Sequence, residues 1–312
     1  MAKLRIQNPI GVAAGGRPAV ACEISPQGVM AAATPAAGQS PVYAFEPLAP
    51  GTITPALTEI NITQPAALAT AIKGALGQVQ PRTRSVTVIV PDSAVRVFVL
   101  DFDTLPSHLD EALPVLRFRL RKSVPFDVEH AGVSYQVLSE GSARLETQWK
   151  VLAAVIPGPV LAEYETAVRT AGYEPGAVLP TSLATLAALD SSDIHETVLA
   201  VNLSSQALTT SIVAGSDMLL HRTIELPADH EAQQDEIQRS IAVAAAFYED
   251  RLQVRPHRLL YSGILSAHDF AAVVDDAEIA IGEMVPYPET GMTSVMGRHP
   301  VAAVTGALAG TN

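Results

Sequence analysis

Two short polar turns, about 180 residues apart, carry residue types that suit a phosphate ligand. The first is Glu23-Ile24-Ser25-Pro26-Gln27-Gly28 and the second is Asn202-Leu203-Ser204-Ser205-Gln206. Each places small hydrogen-bonding side chains at a strand end, where a phosphate could approach the backbone. Other chemistry finds little support. The eight histidines (108, 130, 195, 221, 230, 257, 268 and 299) include no i,i+4 pair with an adjacent Glu and have no companion cysteines, so a metal site is not expected. Asp101 and Asp103 flank Phe102 and read as solvated strand-end carboxylates, with cation binding as the alternative. No nucleophile elbow, Gly-x-Gly-x-x-Gly turn or Walker lysine loop is present. Cys22 lies in an apolar run beside Glu23, where burial raises a thiol pKa and makes it inert.

The elements that must position the turns follow from hydrophobic period. Residues 19–24, 29–33 and 42–46 read as a three-strand meander around the first turn, and 198–203, 207–214 and 218–224 as a second meander around the other. A meander that recurs, each copy followed by helix-period segments, implies two related α/β halves facing one another across a cleft. After the first meander come a proline-rich connection (47–55), a helix over 66–78 opened by Pro65, and a buried β-branched strand at 86–90. At Pro91-Asp92 the pattern changes. Residues 92–173 read as an inserted α+β module. It holds a strand at 95–99, a helix over 105–125 that Pro114 breaks or kinks, a strand pair at 133–138 and 150–156, and a helix from Pro159 to Gly172. A strand at 177–179 and a helix at 181–189 return the chain to the first half. The expected domains are thus an irregular leader over 1–17, a first domain over 18–91 and 174–194, the insert, and a second domain over 195–312. That last domain contains a helix over 235–252, a strand at 258–261 and an Ala-rich terminal helix at 300–310.

Bulk properties narrow the function classes. The 312 residues suffice for two cores, and 48% hydrophobic with 17% charged residues marks a globular chain. No apolar run approaches the ~18 residues of a membrane span. One cysteine allows no intrachain disulfide, which fits a cytoplasmic location. A formal charge of −12 argues against nucleic acid, and the one basic cluster, Arg117, Arg119, Arg121 and Lys122, reads as a solvated helix face. Trp149 and Phe126 in the insert read as core residues, with a partner anchor as the alternative.

Three separated segments resemble the PilM family of type IV pilus assembly proteins, which share the actin-like (ribonuclease H-like) ATPase fold with the cell-division protein FtsA. Leu116-Arg117-Phe118 leads into Ser123-Val124-Pro125-Phe126 and then Tyr135-Gln136-Val137-Leu138, similar to the family's helix, Val-Pro-Phe and Tyr-x-Val-Leu strand. Glu236-Ile237-Gln238-Arg239-Ser240 is similar to its Glu-x-x-Arg-Ser helix start, and 300–310 to its Ala/Gly-rich last helix. The resemblance covers about residues 18–312. It implies a nucleotide site at Glu23, Ser25, Asn202, Ser204, Ser205 and Gly263, with adenosine contacts from Glu236, Arg239 and Ser240.

The phosphate segments depart from that pattern. Glu23 stands where the family has Asp, Ser25 where it has Gly, and Met30 where it has Lys; Pro26 offers no N–H. Asn202 and Ser204 replace an expected Asp and Gly, and Ile264 follows Gly263 where a second Gly would sit. The resemblance with these losses implies a non-catalytic scaffold at the cytoplasmic face of the inner membrane. Such a scaffold would hold the N-terminal tail of a PilN-like membrane protein in a groove between the insert and the first domain, with membrane association through that partner. The alternative is weak binding of ATP or ADP with Mg²⁺, Glu23 taking the metal. An unrelated actin-fold enzyme would need a catalytic Asp near the cleft, and neither turn supplies one. Self-association, through the insert in similar folds, is left open.

Overall fold

The computed structural model describes residues 17–34, 39–139, 148–189, 197–215, 217–276, 278–288 and 299–309. The expected leader lies almost entirely outside them.

Two five-stranded sheets of the same order form the body. In the first, β1 (Val20–Ser25), β2 (Gly28–Ala33), β3 (Val42–Pro47), β4 (Ser85–Val90) and β8 (Glu174–Pro180) run in the order β3-β2-β1-β4-β8. In the second, β9 (Thr197–Leu203), β10 (Ala207–Ala214), β11 (Asp217–Glu225), β12 (Arg258–Gly263) and β13 (Ala280–Glu283) run in the order β11-β10-β9-β12-β13. The meanders pair antiparallel, and β4, β8, β12 and β13 join in parallel. The parallel joints need helical crossovers. Helix α1 (Pro65–Val79) makes one in the first half, and α5 (His230–Leu252) and α6 (Ala267–Val274) make two in the second.

The insert is a three-stranded antiparallel sheet, β5-β7-β6, of β5 (Arg96–Phe102), β6 (Gly132–Ser139) and β7 (Trp149–Ile156), with α2 (Leu109–Leu120) packed on one face. Leu116, Leu120, Val151 and Val155 belong to a core of its own. Its free edge β5 lies along the edge strand β11 of the second half, tied there by Arg96–Glu225 (3.1 Å) and Lys150–Asp217 (2.8 Å). Helix α3 (Gly158–Thr170) sits on α1, β4 and β8 and completes the cover of the first sheet, so it packs as part of that half. Helix α4 (Thr181–Leu186) follows β8. The terminal helix α7 (Ala302–Ala309), expected with the second half, packs on α4, β1 and β2 of the first. Gly306 permits this: a side-chain carbon there would overlap the carbonyl oxygen of Ala184.

Alternation along the strands sends side chains to two cores. Val20, Cys22 and Ile24 face α1 and α3, while Ala21 faces α4 and α7 with Met30, Phe45 and Ile89. The far face of the second sheet packs on Ile237, Ile241, Tyr248 and Phe270 of α5 and α6.

Several local expectations change. Pro114 does not break α2, which stays continuous through it but is shorter than 105–125 at both ends. Helix α5 starts at His230 because the Asp229 side chain caps the Ala232 N–H at 3.0 Å, ahead of the first apolar repeat. Arg117 is no solvated cation: its guanidinium donates to the Val128 and Ala131 carbonyls and closes the loop after α2. Helix α6 and the four-residue strand β13 complete the second sheet without having been expected. No helix among the described residues is long and apolar enough to cross a membrane.

Candidate functional site

The cleft between the halves is built from two equivalent rows of residues. Strand register aligns Phe45, Met30, Glu23, Ile89 and Leu179 across the first sheet. It aligns Thr223, Thr209, Asn202 and Ser262 across the second. Glu23 and Asn202 are equivalent, each two residues before the serine that opens its hairpin tip.

Between the rows stands Asp92, the first residue of a 3-10 turn (Asp92–Ala94) at the carboxyl end of β4. One carboxylate oxygen accepts from the Ser182 backbone N–H (3.0 Å) and hydroxyl (2.8 Å). The other accepts from the Asn202 amide (3.3 Å) and the Thr209 hydroxyl (3.2 Å). Four donors fill the accepting positions of a carboxylate. They come from α4, β9 and β10, so one side chain of the first half bonds into the second. Burial raises the Asp92 pKa, and the four donors oppose the rise. Sequence reading used Asp92 only as a boundary, since a lone Asp after a strand carries no motif.

His221 extends the network. Its Nδ1 lies 2.9 Å from the Ser211 hydroxyl and its Nε2 3.4 Å from that of Ser182. Ser182 gives its one proton to Asp92, so Nε2–H is the donor to Ser182, and a neutral ring would then accept from the Ser211 hydroxyl at Nδ1. Desolvation, which pushes its pKa down to about 4, agrees. The Ser182-His221-Asp92 grouping is no nucleophilic triad, because Asp92 bonds the serine rather than the imidazole and Ser182 is buried.

Glu23 has the opposite surroundings. Its row is otherwise apolar, and desolvation first, then repulsion from Asp92, push its pKa up to about 7, with Thr181 opposing. Cys22 behind it is buried and its thiol pKa is raised, as expected.

Both hairpin tips are closed on themselves. The Ser25 hydroxyl accepts from the Gly28 N–H (3.3 Å) and donates to the Gly28 carbonyl (3.0 Å). The Ser204 hydroxyl accepts from the N–H groups of Gln206 (3.3 Å) and Ala207 (2.9 Å) and donates to the Ala207 carbonyl (3.1 Å). The Ile264 N–H bonds the Leu203 carbonyl at 3.2 Å. The Ser25 and Ser204 hydroxyls, expected to face a phosphate, are thus each engaged within their own tip.

A cavity of about 200 Å³ remains, lined by Glu23, Ser25, Asp92, Asn202, Ser204 and Gly263 with apolar walls from Pro26, Met30, Phe45 and Ile264. His299 stacks on Phe45, ring centroids 3.5 Å apart. No Lys or Arg lines it among the described residues. Ser205 does not line it, and neither do Glu236, Arg239 and Ser240. Glu236 and Arg239 pair with each other on the outside of α5, and Ser240 is buried beneath. The cavity is below the ~300 Å³ of ordinary ligand sites, and its polar lining also includes Gln27, Ser93, Gln206 and Ser262.

No protein-family model matches this chain, and no curated protein matches it in sequence. Solved structures do. The chain is similar to the PilM–PilN type IV pilus biogenesis complex at 18% identity and a TM-score of 0.68, covering 85% of this chain and 90% of that one. It is also similar to the cytoplasmic domain of EpsL, an inner-membrane component of the type II secretion system of Vibrio cholerae. There the identity is 15% and the TM-score 0.50, with 93% of each chain covered. These likenesses, with the duplicated sheet order, show a two-domain actin-like ATPase fold carrying an inserted module.

Proposed function

We propose that this chain is a non-catalytic scaffold of a type IV pilus or related secretion platform. It works at the cytoplasmic face of the inner membrane and binds the cytoplasmic tail of a PilN-like membrane protein. The observation that supports the loss of catalysis is the self-closure of both hairpin tips, which engages the Ser25 and Ser204 hydroxyls and the N–H groups of Gly28, Gln206 and Ala207. The partner is supported by likeness to a PilM–PilN complex. The insert supports it too, because β5 is covered by β11 while the other edge strand, β6, pairs only with β7 among the described residues and leaves an edge for an extended peptide.

The second reading, a weak ATP or ADP site with Mg²⁺, is favoured by one observation: Glu23, Ser25, Asn202, Ser204 and Gly263 do line a common cavity. Thermal shift separates the two, because a ligand that binds only the folded state raises its melting temperature. Millimolar ATP with Mg²⁺ is expected to leave that temperature unchanged. A synthetic peptide copying the N-terminal tail of the PilN-like protein of the same organism is expected to raise it and to titrate at one site per chain by calorimetry. A rise with ATP whose Mg²⁺-dependent part disappears in Glu23→Ala would establish the second reading instead.

A further inference from the structure

The cavity between the halves is lined by two carboxyl groups in opposite states of satisfaction. Asp92 accepts four hydrogen bonds and has no position left. Glu23, only 8% exposed, has the Thr181 hydroxyl as its one hydrogen-bonding neighbour among the described residues. That hydroxyl carries a single proton, which the Val90 carbonyl also takes at 3.1 Å. At most one of the four accepting positions of Glu23 is therefore filled. A carboxylate this deeply buried calls for a cation beside it. No Lys or Arg lines the cavity among the described residues. Asp92 adds a second negative group close enough to raise the Glu23 pKa by repulsion, so both acids attract a positive charge.

The remaining walls define what that charge is attached to. Strand register sets Met30 beside Glu23 and Phe45 beside Met30, and all three are buried. Pro26 and Ile264, from the two hairpin tips, also line the cavity and are partly exposed. The carboxyl thus stands at the closed end, the mouth lies between the tips, and hydrocarbon lines the way between them. A bare metal ion matches this poorly. No group of three or more His, Cys, Asp or Glu side chains able to hold one occurs among the described residues, and an ion would leave the apolar walls uncovered. An alkylammonium matches both features, with a compact charge for the acid and a chain for the walls.

We propose that the cavity binds a small organic cation, a primary ammonium on a short hydrocarbon chain, with the ammonium on Glu23 and the chain along Met30, Phe45 and Ile264. This rests on the reading above that the cleft takes no nucleotide. It is independent of the peptide edge on β6, which lies in the insert and does not line the cavity.

Calorimetry and thermal shift on the purified chain test this with three probes of equal length: n-hexylammonium chloride, 1-hexanol and sodium hexanoate. At about pH 8, where Glu23 is ionised, hexylammonium is expected to bind at one site per chain and to raise the melting temperature. Hexanol should bind at least about tenfold more weakly and hexanoate not at all. Glu23→Gln keeps the size of the side chain, and should weaken hexylammonium by about tenfold or more while leaving hexanol unchanged. Ile264→Ser alters a partly exposed wall outside the cores, so it leaves the fold intact even if Glu23→Gln does not, and should weaken hexylammonium severalfold through lost chain contact. Hexanoate binding as tightly as hexylammonium, or hexylammonium binding that neither variant weakens, would overturn the proposal. ATP with Mg²⁺ is the control that separates the two readings. Stabilisation by ATP would remove the reading on which the proposal rests, whereas a chain that responds to neither ATP nor hexylammonium would overturn the proposal alone.

Discussion

The two halves share a sheet order and a hairpin tip but differ along the row that faces the cleft. In the first half the row is Phe45, Met30, Glu23, Ile89 and Leu179; in the second it is Thr223, Thr209, Asn202 and Ser262. One carboxyl in an apolar row is driven toward its neutral form. A row of hydroxyls and amides can hold a carboxylate that comes from elsewhere, and it holds Asp92. Thus the same backbone presents an acid on one side and a set of donors on the other. The helices that follow the meanders differ in the same manner. The exposed positions of α1 are small or polar, whereas those of α5 include Val243 and Phe247. A feature present in only one of two equivalent halves is not demanded by the shared fold.

The comparison breaks most sharply at Asp92. Asp92→Ala leaves the donors of Ser182, Asn202 and Thr209 buried without an acceptor, and should cost about 3 kcal/mol or more in urea unfolding. An unchanged midpoint would mean that the two rows are not joined there.

A second test separates the rows by pH. Glu23, raised to about 7, contributes stability that is full below about 4.5 and is lost as pH rises through 7, because the folded chain there holds a proton the unfolded chain has released. His221, lowered to about 4, acts in reverse. Its contribution is present above about 6.5 and is lost as pH falls toward 4. Between pH 4.5 and 6.5 the two slopes oppose and largely cancel. Glu23→Gln should leave stability rising with pH across that window, and His221→Asn should leave it falling, each by on the order of 2 kcal/mol. Parallel pH profiles for wild type and both variants, measured by thermal or urea unfolding, would show that neither group titrates on folding.

The smallest expected effect lies at the hairpin tips. Ser25→Ala frees one N–H and Ser204→Ala frees two, so the losses should be about 1 kcal/mol, with Ser204→Ala the larger. If either variant gains ATP-dependent stabilisation, its serine is what keeps phosphate out.

The strands were legible because alternation and β-branched runs mark them locally, and the recurrence of a three-strand meander with a polar first turn, at Glu23–Gly28 and again at Asn202–Gln206, made the duplication readable. What was not legible depends on contacts distant in sequence. Asp92 acquires its meaning from residues about 90 to 117 positions away. Strand β13, four residues and partly exposed, has too little pattern to register. The composition of α7, small or apolar but for Thr305, says that it is buried but not against what. Glu236, Arg239 and Ser240 match a motif, yet helical phase puts the first two on the outer side of α5, away from the cavity.

The return of α7 to the first half has a thermodynamic consequence. The chain leaves that half after α4, builds the second sheet, and comes back to seat α7 on α4 and β1, with Tyr43 bonding the Thr305 hydroxyl at 3.0 Å. Each end of the second half is therefore anchored in the first half's core. Melting the second sheet alone would pull α7 from its seat or leave a long untethered loop between two fixed points. Calorimetry should accordingly record one cooperative transition, with van't Hoff and calorimetric enthalpies equal, for a molecule that by its sheets alone would count as two domains.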